Sequence, residues 1–205
     1  MKIKLTALGL LILSLQTGAY AASCQNVSER LNDLVGSDQE IRQQWTMLEQ
    51  NAKSTVAEKE ALIKRQNAID DGNLRQIKEI IAACGWPEEK EASHRAWLLA
   101  QHADRDIAFQ HQARDLLEAS VKANIAAPRD LAYLSDRIAA NEGRPQEYGT
   151  QFTQTDRCHL TLDPIDSIEF ADRRRLAIGL PSVEAYVAEG RRRFIPADCP
   201  KSQND

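Results

Sequence analysis

The residues best suited to chemistry in this sequence are a histidine, an aspartate and a glutamine that follow one another at intervals of four. If residues 97–121 form one helix, His102, Asp106 and Gln110 lie on its apolar face, among leucine, alanine and phenylalanine side chains. Burying three polar side chains is costly unless they bond one another or a ligand. A carboxylate one turn from an imidazole orients the ring and raises its basicity, as a general base requires. The spacing therefore predicts a catalytic His102 oriented by Asp106, with a satisfied buried network as the alternative interpretation.

A second geometry for the same segment changes the partner of His102. The polar run from Ala103 to Asp106 also fits a turn between two helices. Asp106 would then cap the second helix, and Asp104 would be the carboxylate near His102. The sequence does not choose between the two geometries, so Asp104 and Asp106 both remain candidate catalytic residues beside His102.

Helices must supply most of the scaffold that positions these residues. Apolar residues recur at three- and four-residue steps from residue 24 to 83, and Gly36-Ser37-Asp38 predicts a break there, with Ser37 or Asp38 capping a second helix. Further helices are predicted at residues 89–103, 107–123 and 128–141, from about Asp166 to Gly179, and from Pro181-Ser182 to about Arg193.

One segment has the pattern of strands. Residues 146–152 and 158–162 alternate and are rich in strand-forming residues, and the polar residues 153–156 between them predict a β-hairpin. The fold class is therefore mainly α: a multi-helix single domain with one small late β-hairpin at about residues 145–163. The domain is expected to span residues 22–195, with a loose C-terminal tail at 196–205.

The first 21 residues have the features of a cleaved signal peptide. Lys2 and Lys4 precede an apolar run that is too short to span a bilayer, and Ala19-Tyr20-Ala21 resembles a cleavage site. Cleavage would remove both lysines and change the formal charge from −4 to −6. We expect a periplasmic or secreted protein without a membrane span. A lipid anchor at Cys24 is the less favoured alternative, because the preceding residues lack the usual leucine of a lipobox.

All four cysteines remain after cleavage, and an even count in an exported chain predicts disulfides. Four cysteines allow three connectivities. Proximity in the sequence favours Cys24–Cys84 and Cys158–Cys199.

Composition and motif searches exclude several classes of protein. The net charge of −4 is unlike that of a nucleic-acid-binding domain, so no nucleic-acid partner is expected. The sequence has no CxxC, HExxH, GxSxG, P-loop or GxGxxG motif. The histidine spacing matches no known metal site, so no metal is predicted, and the sequence identifies no cofactor.

A series of short motifs runs from about Asp38 to Tyr186. In order they are Asp38-Gln39-Glu40-x-Arg42, Asp71-x-Asn73-Leu74, Ile80-Ile81, Gly85-Trp86-Pro87, Trp97-Leu98-Leu99-Ala100-Gln101-His102-Ala103-Asp104, Phe109-Gln110, Leu131-Ala132-Tyr133-Leu134-x-Asp136-Arg137, Gln146-x-Tyr148-Gly149-Thr150-Gln151-Phe152, and Arg174 before Gly179-Leu180-Pro181. The ordered set resembles a bacterial family of unknown function, domain of unknown function 6624. That family often has proline at the position of Ile107, which favours the two-helix geometry. The resemblance implies one domain over nearly the whole mature chain and supplies no activity.

The motifs of this resemblance are mostly polar, which implies a site. Motifs that reflect only core packing would consist of leucine, isoleucine and glycine. Polar residues from several helices and a hairpin are typical of the lining of one pocket. The ligand-binding residues predicted in this way are Gln110, Asp136, Arg137, Tyr148, Thr150, Gln151 and Arg174. Asp38 and Arg42, four residues apart, are interpreted as a helix salt bridge.

Three functions fit these observations. The first is a cell-envelope hydrolase or other acid–base enzyme, with His102 as general base and Arg137 or Arg174 holding an anionic group. The second is a periplasmic binding or inhibitor module whose pocket holds a small ligand or a partner protein without turnover. The third is a structural polar network that binds no ligand.

Overall fold

The computed structural model describes residues 24–200 of the chain. Within that range the chain forms seven helices and two short strands, which confirms the mainly α fold with a small late hairpin. In chain order the elements are α1 (Val27–Gln50), α2 (Val56–Cys84), α3 (Lys90–Gln101), α4 (Ile107–Lys122), α5 (Pro128–Asn141), β1 (Phe152–Asp156), β2 (His159–Leu162), α6 (Ile168–Ala177) and α7 (Val183–Phe194).

The first long helix passes through the position where the sequence predicted a break. α1 is continuous across Gly36, and its buried residues lie on both sides of that glycine, among them Leu34 and Ile41. A glycine inside a helix costs about 1 kcal/mol, which the burial of this apolar stripe outweighs. The chain breaks instead between the two helices, where Thr55 and Glu58 form a capping box at the start of α2.

The segment around His102 is a turn, so the single helix over residues 97–121 is wrong and the two-helix geometry is confirmed. α3 ends at Gln101, and α4 begins after Asp106. The Asp106 carboxylate accepts a 2.9 Å hydrogen bond from the backbone N–H of Phe109 and thereby caps α4. Its other oxygen accepts a 2.6 Å bond from Lys78.

The second strand of the hairpin lies where the sequence predicts it, whereas the first strand begins later in the chain than predicted. β1 pairs with β2 in antiparallel register, with Phe152 opposite Leu162 and Gln154 opposite Leu160. The residues predicted as the inter-strand turn, 153–156, therefore belong to a strand. Residues 146–151 form a loop. Its ends make backbone bonds to residues 163–166, and side chains hold the N–H groups between them, which the alternating pattern alone does not reveal.

The core lies among the first five helices and is mostly aliphatic. Its fully buried side chains include Leu31, Ile77 and Ile80 from the two long helices and Leu117 and Ile138 from α4 and α5. Alanines from α3 and α4 fill the remaining contacts, as expected for a chain with few aromatic residues. The hairpin and the last two helices pack at one end of this bundle.

Both predicted disulfides are present. Cys24–Cys84 joins the start of α1 to the end of α2, and Cys158–Cys199 joins the hairpin turn to the C-terminal segment. Two disulfides are consistent with folding in an oxidising compartment. The Cys24 sulfur that a lipid anchor would require is in the first disulfide.

The predicted signal peptide and residues 201–205 lie outside the described residues. Across residues 24–200, no helix is long and apolar enough to cross a membrane.

Candidate functional site

A cleft of about 670 Å³ lies where the long helices meet the hairpin and α7. This volume falls within the range of about 300–1,000 Å³ that is typical of small-molecule sites. The lining comes from seven helices and strands, the turn after α3 and the loop before β1, and consists of Arg42, Trp45, Thr46, Ile63, Gln66, Asn67, Trp97, Leu98, Gln101, His102, Tyr133, Arg137, Thr150, Gln151, Phe152, Gln154, Leu160, Tyr186 and Phe194. We call it the central cleft.

His102 lies on the wall of the central cleft and is bonded to a carboxylate from another helix. Its Nδ1 atom is 2.8 Å from Asp38 Oδ1 and 3.0 Å from Asp38 Oδ2. Asp38 is fully buried on α1, while the His102 side chain is 18% exposed. The carboxylate beside His102 is therefore Asp38, and neither Asp104 nor Asp106 bonds to the ring.

Arg42 lies against the same pair, one helical turn after Asp38. Its Nη2 bonds to Asp38 at 3.1 Å and to Asp70 of α2 at 2.8 Å, so the predicted helix salt bridge is confirmed and extended. Arg42 Nε lies 2.9 Å from His102 Nδ1 and 3.4 Å from Asp38 Oδ2. A hydrogen bond from Nδ1 to the buried carboxylate requires the proton on Nδ1, whereas a hydrogen bond from Arg42 Nε to Nδ1 requires the other tautomer. Nε2 of His102 makes no hydrogen bond to the described residues.

The two carboxylates of this cluster are shifted in opposite directions. Burial alone would raise the pKa of Asp38, but the hydrogen bond and charge of His102, the Arg42 charge and the Gln39 amide outweigh burial and hold that pKa below its usual 3.8. Burial dominates at Asp70 and raises its pKa, despite the Arg42 charge. Asp38 is therefore the carboxylate that stays ionised beside His102.

The lowered pKa of Asp38 predicts a specific dependence of stability on pH. A carboxyl whose folded-state pKa lies below its unfolded value stabilises the fold above the unfolded pKa, and loses that contribution as the pH falls through the folded pKa. We expect the difference in unfolding free energy between wild type and Asp38→Asn to shrink as the pH falls below about 4. Urea unfolding of both proteins between pH 7 and pH 3 measures this difference. Asp33→Asn, at an exposed position of α1, is the control, and a difference that does not vary with pH would contradict the assignment.

A second network lies behind the cleft, around Asp104. Its carboxylate accepts a bond from Arg137 Nε at 2.8 Å and a second, short one from Arg137 Nη2. It also accepts a 2.9 Å bond from Asn141, whose amide donates to the buried Gln110 at 3.1 Å. Burial opposes ionisation, but the bonds from Arg137 and Asn141 lower the pKa of Asp104. Asp104 therefore positions Arg137, which reaches Gln151 at 3.3 Å.

The loop 146–151 is held by buried polar side chains. Asp136, fully buried on α5, accepts bonds from the backbone N–H groups of Glu147, Tyr148 and Thr150, and from the Thr150 hydroxyl at 2.9 Å. Gln146 accepts from the N–H groups of Thr150 and Gln151 at 2.8 and 2.7 Å. These bonds fix Thr150 and Gln151 at the cleft.

The opposite side of this loop rests on a buried arginine. Arg175 is fully buried, and its Nη1 donates to the carbonyl oxygens of Tyr148 at 2.7 Å and Gly149 at 3.1 Å. Gly149 adopts a φ of +67°, and a Cβ there would lie 2.9 Å from Ile165 Cδ1, so a side chain at this position would strain the backbone and displace Ile165. The Tyr186 hydroxyl donates to Thr150 O at 3.1 Å, and burial raises the pKa of Tyr186, which keeps this donor protonated.

The structure separates the predicted site residues into three groups. His102, Arg137, Thr150 and Gln151 line the central cleft. Asp104, Asp136 and Gln110 bond to lining residues or to the loop that carries them, without lining the cleft. The remaining three lie elsewhere: Asp106 caps α4, Arg174 bonds to Glu147 O and Asp166, and Tyr148 is outside the lining.

Sequence reasoning missed the residues that complete the cleft. Asp38 and Arg42 lie four residues apart in one motif. Because a salt bridge within the helix explains that spacing, the sequence did not indicate that they contact His102. Trp45 and Asn67 lie outside the motifs, so no signal in the sequence singles them out.

Metal binding has no support in the part of the chain that the structure describes. No group of three or more histidine, cysteine, aspartate or glutamate side chains there is arranged to hold a metal ion.

Comparison with known proteins supports one assignment. The sequence model of one family, described as a family of unknown function (DUF6624), matches residues 25–191, which include every residue of the central cleft except Phe194. No curated protein and no solved structure matched the chain. The matched range covers most of the chain, and the chain belongs to the DUF6624 family of unknown function.

Proposed function

We propose that this protein is an acid–base enzyme of the cell envelope, a hydrolase in which His102 is the general base. The observation that carries the proposal is the bond between His102 Nδ1 and the buried Asp38 carboxylate at 2.8 Å. An imidazole held in this way keeps its proton on Nδ1 and presents a lone pair at Nε2. Because the ring lines a cleft of small-molecule size, Nε2 is available to a water molecule beside a bound substrate.

The chemistry assigned to each side chain follows from its contacts. A water oxygen forms a bond to the electrophilic atom of the substrate while Nε2 takes the water proton. The bond between that atom and the leaving group then breaks, and Nε2 gives the proton to the leaving group. Asp38 stabilises the imidazolium formed in between. The guanidinium groups of Arg42 and Arg137, held by Asp38, Asp70 and Asp104, donate N–H bonds to the oxygen that gains charge.

The proposed compartment is the periplasm or the exterior of the cell. The support is the charged and apolar N-terminal segment of the sequence together with the two disulfides, which form and persist in oxidising compartments.

The test is a His102→Asn variant assayed on purified cell-wall sacculi and other envelope polymers, with released products measured by mass spectrometry. General-base catalysis contributes typically 10²- to 10⁴-fold, so product release is expected to fall by at least about a hundredfold. His111→Asn is the matched control, because His111 bonds to Glu142 on the surface and is absent from the lining. Equal product release by wild type and His102→Asn would overturn the proposal.

A binding protein without turnover is the second candidate, and the neutral part of the lining favours it. Five side-chain amides and six aromatic rings line the cleft, whereas His102 is the one histidine among its described lining residues. Binding of a ligand by wild type and by His102→Asn alike, with no product from either, would select this candidate. A lower melting temperature in the variant without any bound ligand would select the structural network instead.

A further inference from the structure

The aromatic residues of this chain are concentrated at the central cleft. Only 5% of the residues are aromatic, three tryptophans, four tyrosines and four phenylalanines, and six of them line this one surface. Several are fixed against one another: Trp97 meets Tyr133 edge-on at 6.1 Å, Tyr133 meets Tyr186 at 6.1 Å, and Tyr186 stacks on Phe152 at 5.1 Å. Such a rigid aromatic wall accepts a flat apolar face with little loss of side-chain entropy.

Three buried polar atoms of the cleft residues have no hydrogen-bond partner among the described residues. They are Trp97 Nε1, Gln101 Oε1 and Gln154 Nε2. Trp97 and Gln101 are one turn apart on α3, so their side chains lie on the same face. Buried groups of this kind are rare in folded proteins and call for a partner. The set comprises two donors and one acceptor.

A secondary amide is the small group that matches this set. Its carbonyl oxygen has two lone pairs for two donors, and its N–H serves one acceptor. The three atoms are buried, so the glutamine amides would meet a ligand by turning about their soft terminal torsions.

The charge at the cleft indicates that the rest of the ligand is uncharged. Arg42 is neutralised by Asp38 and Asp70, and Arg137 by Asp104. No aspartate or glutamate is among the lining residues. The guanidinium N–H groups that remain therefore act as hydrogen-bond donors to hydroxyl or carbonyl oxygens, without a net charge to hold an anion.

We propose that the central cleft recognises an uncharged ligand that carries a secondary amide beside a flat apolar face, as an N-acetylated sugar does. The C–H face of the sugar ring packs on the aromatic wall, and its hydroxyls bond to Arg42 and Arg137. The acetamido oxygen accepts from Trp97 and Gln154, and the acetamido N–H donates to Gln101. The proposal rests on the proposed function for the choice of cleft and names the substrate class of that site.

Calorimetric titration of the mature, disulfide-bonded His102→Asn chain tests this assignment, because a variant without turnover leaves the ligand intact. The two probes are triacetylchitotriose and cellotriose, which share one backbone and differ at C2 in an acetamido group or a hydroxyl. We expect the acetylated sugar to bind at least about tenfold more tightly, as one or two buried hydrogen bonds imply. Equal affinities, tighter binding of cellotriose, or no binding of either sugar would overturn the proposal.

Two substitutions locate the acetamido contact. In the same background, Gln101→Met and Gln154→Met are each expected to weaken triacetylchitotriose binding about tenfold and to leave cellotriose binding unchanged. The melting temperature should not fall, because each change removes a buried polar atom that has no partner. Gln112→Met, at an exposed position of α4 away from the cleft, is the matched control. Unchanged triacetylchitotriose affinity in both cleft variants would contradict the assigned contacts.

A third probe separates the two sources of an uncharged amide. N-acetyl-alanyl-alanine amide offers secondary amides without a sugar ring, and we expect it to bind more weakly than triacetylchitotriose. Peptide binding of equal strength would overturn the sugar assignment. The binding measurements do not test catalysis. The proposed function is tested separately, by comparing product release by wild type and by His102→Asn.

Discussion

Replacing Asp38 with alanine is expected to lower the free energy of unfolding by about 3–5 kcal/mol, which is the cost of breaking a buried ion pair. The carboxylate is fully buried and accepts bonds from His102, Arg42 and Gln39. Removing it leaves the guanidinium with Asp70 as its remaining carboxylate and the imidazole without a carboxylate partner. Urea unfolding at pH 7 measures the loss.

The same substitution is expected to change the state of His102. Without the carboxylate, the ring is free to rotate and to place its proton on either nitrogen, so product release should fall as far as in His102→Asn. Asp33→Ala, on the exposed side of the same helix, controls for the change in α1 itself. A loss of stability below about 1 kcal/mol would show that the pair is solvated, as exposed salt bridges are, and would remove the basis for an oriented His102.

Removing the Cys24–Cys84 disulfide by a double change to serine is expected to cost about 4 kcal/mol. The bond closes a loop of 60 residues, and the chain-entropy relation gives about 4 kcal/mol for a loop of that length. Because the unfolded chain becomes less compact, the m-value in urea should rise as the midpoint falls. Cys158–Cys199 closes 41 residues, so its removal should cost slightly less on the same relation.

This disulfide lies far from the chemistry, which allows stability and activity to be measured separately. About 15 residues of α1 separate its start from Arg42, roughly 20 Å of helix at 1.5 Å per residue. The double variant is therefore expected to retain wild-type product release at temperatures well below its melting point. Loss of activity in the folded variant would show that the bond shapes the cleft, contrary to this prediction.

Local signals were sufficient for much of the fold. Pro128 at the first turn of α5, Ser182 at the start of α7 and Asp106 at the start of α4 mark helix ends through contacts within a few residues. The disulfide pairing followed from proximity in the sequence. These features depend on near neighbours, which the sequence displays directly.

The sequence-based predictions failed where contacts between residues far apart in the chain determine the local structure. Gly36 stays helical because α1 buries residues on both sides of it against other helices, and residues 146–151 form a loop because Asp136 binds their N–H groups. The partner of His102 is 64 residues away in the chain. Neither periodicity nor spacing carries information about contacts of that range.

The sequence by itself indicated that the chain is mainly helical and that His102 belongs to a set of polar motifs, and it favoured cysteine pairing within each half. The tertiary structure decided which carboxylate orients His102, and which polar residues line a cleft rather than support it. The physical reason is that capping and periodicity are properties of a few adjacent residues, whereas a buried carboxylate must be satisfied by whichever donors the packed helices bring within about 3 Å.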